Sequence, residues 1–119
     1  MDHHDEEFLR KAAEAKARVP QLDPAQVDKH VATGAVVIDV REPDEHAKAN
    51  VPGAVNISMG TLADQIAAMV PDKDAPIVCY CNGGNRGSLA AAQLQDLGYT
   101  NVSSIAGGLQ GYASIKSKK

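Results

Sequence analysis

Short apolar runs alternate along the chain with longer segments whose apolar residues recur at helical spacing. Two runs rich in Val and Ile, at 36–40 and 77–81, predict strands that are buried on both faces. Shorter runs at 19–22, 54–57 and 102–105 predict three further strands. The pattern therefore predicts five strands.

Helical segments separate these strands. Helices are predicted at 5–18, 24–33, 61–70 and 88–97, and a single helical turn is predicted inside 41–49. Strands and helices that alternate at this spacing are typical of a parallel sheet with helices on both faces. Ligands bind such sheets beyond the carboxyl ends of the strands, which makes those ends the first place to look for a site.

The 119 residues fit one domain, which we place at 19–115. A helical extension at 1–18 precedes it, and a frayed tail at 116–119 follows it. The apolar stripe of the first helix is thin, so we expect this helix to pack loosely. The glycine pair at 107–108 predicts a tight turn that leads into a short final turn.

Charge and composition exclude several classes of partner. The net charge is −3 and aromatic residues make up only 3%, so the chain lacks the basic stripe and the stacking side chains of a nucleic-acid-binding protein. No apolar run approaches the ~18 residues of a membrane span. The polar, acidic start shows no signal-peptide pattern, and two cysteines suit a reducing compartment. We therefore expect a cytoplasmic monomer without a metal or other cofactor.

The chemistry of the chain is concentrated in the segment CYCNGGNRGS, residues 79–88. A buried strand ends at Cys81, a Gly-rich loop follows, and a helix begins near Ser88. Glycines allow successive backbone N–H groups to converge on an anion, and the helix start adds a positive dipole end. Arg86 adds a permanent cation. This setting favours a reactive thiolate at Cys81, whereas Cys79, in the middle of the apolar run, is expected to be an inert core thiol.

Four segments, in order, resemble the rhodanese-like sulfurtransferases. In that family the active-site loop is a Cys, four variable residues and often an Arg, and residues 81–86 are similar to it. The segments VVIDVREPDEH, NVPGAVNI and AGGLQGY are similar to three further family segments, and together the four cover roughly residues 19–112. Asn50, Tyr112, His46 and Ser58 depart from the residues common in the family, but none lies in the Cys loop.

The resemblance implies an α/β, three-layer rhodanese-like fold with a central, mainly parallel five-stranded sheet and helices on both faces. It implies a sulfurtransferase of the thiosulfate sulfurtransferase (rhodanese) type. Such an enzyme takes sulfane sulfur from a small anionic donor such as thiosulfate and passes it to cyanide or a thiol, including a thiol protein, through a Cys81 persulfide. Cys81 is then the nucleophile, and the donor-binding residues are Asn82, Gly83, Gly84, Asn85, Arg86 and Gly87.

Two residues of the DVRE segment are expected to support this loop. Asp39 lies in a predicted buried strand, where a carboxylate needs a partner. We expect Asp39 and Arg41 to hold a neighbouring loop or each other, without acting as acid or base. A Cys81–His46 pair is a minor alternative for thiol activation.

Three other functions are compatible with the sequence. A Cys-dependent phosphatase or arsenate reductase of the related fold places five residues between Cys and Arg, whereas this chain has four, which makes a smaller cradle. A non-catalytic docking module would typically lack the Cys. A persulfide carrier for one dedicated partner would share all of the chemistry and differ only in its acceptor.

Overall fold

A five-stranded sheet forms the centre of the computed structural model, which describes residues 6–116. The strands are β1 (Gln21–Leu22), β2 (Val36–Asp39), β3 (Val55–Asn56), β4 (Ile77–Tyr80) and β5 (Val102–Ile105). Their order is β1-β5-β4-β2-β3, and every neighbouring pair is parallel. The predicted sheet is confirmed, and the carboxyl ends of its two central strands, β2 and β4, lie side by side.

Helices connect the strands and cover both faces of the sheet. They are α1 (Glu6–Arg18), α2 (Val27–Ala32, entered through a 3₁₀ turn at Pro24–Gln26), α3 (Pro43–Lys48), α4 (Met59–Met69), α5 (Asn85–Asp96) and α6 (Gly108–Lys116). Within residues 6–116, no helix is long and apolar enough to cross a bilayer.

Successive side chains of β2 and β4 point to opposite faces of the sheet, so the hydrophobic core has two layers. Ile38 and Cys79 are register partners and face the layer that holds buried residues of α1, α4 and α5. Val37 and Val78 are also register partners and face the layer formed with α2 and α6. Both faces of β2 and β4 are thus covered by the hydrophobic core, which explains their continuous apolar sequence.

Helix α1 packs closely on the domain, contrary to our expectation of loose packing. Ala12 and Ala15 are 1% and 4% exposed, and Arg18 donates to Asp96 of α5 at 2.6 Å. The apolar stripe of α1 is thin because its buried residues are alanines. Such small side chains allow α1 to approach α5 closely. Residues 1–5 of the predicted extension lie outside the described residues.

Three helix limits differ from the sequence predictions. Helix α5 begins at Asn85 and not near Ser88, because Gly84 adopts φ 111° as its N-cap. Helix α4 begins at Met59, before Thr61, since the Met59 N–H donates to the Val40 carbonyl. The expected final turn is a nine-residue helix, α6, which ends at Lys116. The remainder of the predicted frayed tail, 117–119, lies outside the described residues.

A close contact at Gly87 sets the position of α5 against β4. A β-carbon at Gly87 would lie 2.9 Å from Tyr80 Cα and 3.2 Å from the backbone nitrogen of Cys81. The first distance is shorter than β-carbon contacts in real proteins, the second is tight, and both opposing atoms belong to the backbone. Glycine at this position therefore allows the start of α5 to approach the end of β4.

Gly87→Ala should lower the free energy of unfolding by about 1–3 kcal/mol, because the added methyl group would push α5 away from β4. Gly83→Ala is the matched control, since a β-carbon at Gly83 meets nothing within 4 Å. Urea unfolding of both variants measures the difference. An equal loss in the two variants would contradict the packing role of Gly87.

Candidate active site

Cys81 follows β4 directly, at the carboxyl edge of the sheet. The residue is only 2% exposed, yet it lines a cavity of about 900 Å³. The Gly84 N–H donates to Cys81 Sγ at 3.1 Å. The thiol therefore lies at the floor of a cavity and already accepts a hydrogen bond from its own loop.

Helix α6 draws the first loop carbonyls away from the thiol. The Leu109 N–H donates to the Cys81 carbonyl at 2.8 Å, and the Gln110 N–H donates to the Asn82 carbonyl at 3.0 Å. Gly108 makes this contact possible, because a β-carbon there would lie 2.4 Å from the Cys81 oxygen. The two loop acceptors are thus occupied by α6, and the loop can present N–H donors to the sulfur.

The early start of α5 adds further donors at the same place. The first N–H groups of a helix have no intrahelical partner, and they carry the positive end of the helix dipole. In α5 these groups belong to residues 85–87, which directly follow the Gly84 N-cap. Three of the predicted donor-binding residues therefore form the first helical turn.

Arg86 is paired with a carboxylate that sequence reasoning missed. Its two terminal nitrogens donate to the two oxygens of Glu45 at 3.1 and 3.2 Å. These bonds outweigh partial burial and raise the pKa of Arg86 above its already high ordinary value. The hydrogen bond from Arg86 outweighs partial burial and holds the pKa of Glu45 below its usual range. Both groups are therefore charged at neutral pH.

Glu45 also connects the Cys loop to helix α3. Glu45 Oε2 accepts from Asn82 Nδ2 at 3.3 Å, and Oε1 accepts from the backbone N–H of Glu42 at 3.0 Å. A Glu three residues after the N-cap is typical of a helix capping box, and Glu45 stands at this distance from Glu42. This spacing could have placed Glu45 in the first turn of α3. Its pairing with Arg86, 41 residues away, has no local signal.

Asp39 and Arg41 form a buried ion pair beneath the loop. Arg41 Nε donates to Asp39 Oδ1 at 2.9 Å, and the terminal nitrogen NH2 donates to Oδ2 at 2.7 Å. The other terminal nitrogen, NH1, donates to Asn82 Oδ1 at 2.8 Å. Burial alone would raise the pKa of Asp39, but hydrogen bonds from Arg41 and His46 together lower it below its ordinary value.

The other candidates lie away from the thiol or carry no side chain into the cavity. His46 Nδ1 contacts Asp39 Oδ2 at 2.9 Å, and His46 does not line the cavity. Cys79 is fully buried, and this burial raises its pKa to about 12, which favours the protonated thiol. Gly83 lies on the exposed rim, and Gly87 contributes packing against β4.

Helix α1 and three other elements supply cavity residues that the sequence did not indicate. The lining includes Phe8 and Lys16 from α1, Glu42 beside α3, Met59 from α4 and Gln110 from α6. Among the described residues, no group of three His, Cys, Asp or Glu side chains converges as metal ligands would.

Comparisons with known proteins show the family of this chain. A family model described as the rhodanese-like domain matches residues 23–115. The thiosulfate sulfurtransferase PspE of Escherichia coli (strain K12) is 41% identical over 81 residues, which are 68% of this chain and 77% of PspE. The thiosulfate sulfurtransferase GlpE of Pseudomonas aeruginosa (strain PAO1) is 36% identical over 95 residues, which are 80% of this chain and 84% of GlpE.

Solved structures show the same fold. The human single-domain sulfurtransferase TSTD1 has a TM-score of 0.70 and 28% identity, covering 81% of this chain and 96% of the human one. A Rhodopseudomonas palustris protein of unknown function, described as a possible tyrosine phosphatase, has a TM-score of 0.83 and 27% identity, covering 92% and 90% of the two chains. The curated relatives are named as sulfurtransferases, which does not favour the phosphatase alternative.

Asp39→Asn should cost about 3–5 kcal/mol of unfolding free energy at pH 7, because it leaves the Arg41 guanidinium buried without its counter-charge. The folded-state pKa of Asp39 is depressed, so its contribution is fully present above the ordinary value of 3.8 and is lost as pH falls through the folded value.

Urea unfolding of the parent protein and Asp39→Asn between pH 7 and pH 3 tests this expectation, with Asp64→Asn on the exposed face of α4 as the control. The difference between parent and Asp39→Asn should shrink below about pH 4. A difference that stays constant with pH, or a loss as small as that of the control, would contradict the buried ion pair.

Proposed function

The chain belongs to the rhodanese-like family and is a rhodanese-type sulfurtransferase, and from this premise we propose that Cys81 carries the transferred sulfur as a persulfide. The observation that supports this role most directly is the contact between the Gly84 N–H and Cys81 Sγ. A hydrogen-bond donor at this sulfur stabilises negative charge on it. The cavity above Cys81 gives a donor access to it.

In the first step the Cys81 thiolate attacks the outer sulfur of thiosulfate. A bond forms between Cys81 Sγ and that sulfur, and the sulfur–sulfur bond of thiosulfate breaks. The bonding electron pair leaves with sulfite, so the products are sulfite and the Cys81 persulfide anion. The amide of Gly84 and the first turn of α5 stabilise the terminal sulfur, because they offer it only hydrogen-bond donors.

In the second step cyanide, or the thiolate of an acceptor, attacks the terminal sulfur of the persulfide. The new bond gives thiocyanate or an acceptor persulfide, and the electron pair of the broken bond returns to Cys81 as the thiolate. The enzyme is thus restored without any external oxidant or reductant. This is double-displacement, covalent catalysis.

Arg86 serves the donor while it holds Glu45. A guanidinium has five N–H donors, and the two bonds to Glu45 leave the others for a substrate oxyanion. Glu45 fixes the direction of the guanidinium, so Arg86 does not have to be ordered when the donor binds. Arg41 and Asp39 act one layer below, where Arg41 holds the side chain of Asn82.

Incubation with thiosulfate should increase the intact mass of the protein by one sulfur atom, and cyanide should remove that increment as thiocyanate. Cys81→Ser should abolish both results, because a hydroxyl is a poor nucleophile without a strong base beside it. Cys79→Ala is the matched control and should keep most of the activity, since Cys79 is fully buried. Intact-mass spectrometry together with a thiocyanate assay measures both steps.

A mass increment that persists in Cys81→Ser would reject Cys81 as the acceptor of sulfur. Complete loss of sulfur loading and of thiocyanate formation in a folded Cys79→Ala protein would also count against Cys81 as the acceptor. If the unmodified protein hydrolysed aryl phosphates faster than it took sulfur from thiosulfate, the phosphatase alternative would replace the proposal.

A further inference from the structure

Helix α1 brings a positive charge to the rim of the Cys81 cavity. Lys16 lines this cavity together with Cys81 and Arg86. A β-carbon at Gly84 would lie 3.8 Å from Lys16 Cε, and the N–H of Gly84 donates to the catalytic sulfur. The end of the Lys16 side chain therefore lies above the turn that holds the thiol.

The two guanidinium groups near the loop are both paired with carboxylates. Arg86 donates two hydrogen bonds to the carboxylate of Glu45, and the side chain of Arg41 donates two to the carboxylate of Asp39. Within residues 6–116, Lys16 has no carboxylate within ion-pair distance. Glu42 is the acidic residue among those that line the cavity, and it has no ion pair with Lys16. Lys16 thus contributes a charge that no carboxylate of the described residues contacts directly.

The backbone of α1 holds Lys16 at this position. Ala12 and Ala15 are buried against the domain, and the Arg18–Asp96 contact at 2.6 Å fixes the end of the helix on α5. The flexible stem of Lys16 then allows its ammonium group to follow an oxyanion within the cavity. Helix α1 precedes the residues 23–115 that match the family model, so family membership assigns it no role.

We propose that Lys16 is a donor-binding residue of this enzyme, and that its ammonium group binds the oxyanion end of a thiosulfate-like donor while the outer sulfur meets Cys81. This inference rests on the proposed function. It makes α1 part of the active site, and it predicts a preference for donors that carry a sulfonate-type charge over neutral ones.

Alkylation of Cys81 tests this inference without any sulfur transfer. Iodoacetate is an anion and iodoacetamide is its neutral analogue, so the ratio of their rates measures the positive potential at the thiol. Cys79 is fully buried and its pKa is raised to about 12, so alkylation reports on Cys81. In Lys16→Gln at low salt the ratio of the iodoacetate rate to the iodoacetamide rate should fall about fivefold, because the thiolate fraction affects both rates equally and cancels in the ratio. Added salt should reduce the difference.

Lys11→Gln is the matched control, because Lys11 is on the same helix and pairs with Glu7 at 3.4 Å, away from the Cys81 cavity. Its alkylation ratio should equal that of the parent. Lys16→Arg keeps the charge and should restore most of the ratio. Steady-state kinetics should then show a raised KM for thiosulfate in Lys16→Gln, with kcat nearly unchanged.

An unchanged alkylation ratio in Lys16→Gln, or an equal change in Lys11→Gln, would overturn the role of Lys16. If the ratio falls as expected but thiosulfate loads no sulfur on the parent protein, Lys16 binds anions at Cys81 and the proposed function is wrong. Melting curves of each variant show whether it is folded, and Lys16 is exposed, so its replacement should not affect folding.

Discussion

The loop after β4 must present N–H groups to the Cys81 sulfur and keep its carbonyls away from it. Helix α6 meets this constraint by binding the Cys81 and Asn82 carbonyls through the amides of Leu109 and Gln110. Gly87 also contributes, because a residue without a side chain at this position allows the start of α5 to lie close to the end of β4. A loop fixed in this way needs little reorganisation when charge appears on the sulfur, which is the condition for strong electrostatic stabilisation.

Two carboxylates organise the cations around this loop. Asp39 orients Arg41, Arg41 holds one end of the Asn82 side chain, and Glu45 holds the other end together with Arg86. The resulting chain of contacts joins the carboxyl end of β2 to the start of α5. Because each member is positioned by the next, the network holds the Cys loop in place. Lys16, the proposed donor-binding residue of α1, forms no ion pair with either carboxylate.

Much of this arrangement could be predicted from local sequence. The apolar runs at β2 and β4 indicate a parallel sheet, and a Cys at a strand end before glycines indicates the anion site. The pairing of Glu45 with Arg86 could not be predicted, since it joins residues 41 positions apart and no local pattern links the two segments. The same holds for Lys16, whose helical pattern shows that it is polar but not which surface α1 covers. The start of α5 was misplaced because the left-handed conformation of Gly84, which ends the loop early, is a property of the folded turn.

A crystal structure of the thiosulfate-loaded protein tests the donor loop most directly. The account predicts one additional sulfur atom on Cys81 Sγ, within hydrogen-bonding distance of the Gly84 nitrogen and of amides in the first turn of α5. The contacts of Leu109 and Gln110 with the loop carbonyls should be unchanged from those described here. A terminal sulfur that faces a loop carbonyl, or a loop that rearranges and breaks its contacts with α6 to accept the sulfur, would contradict the account.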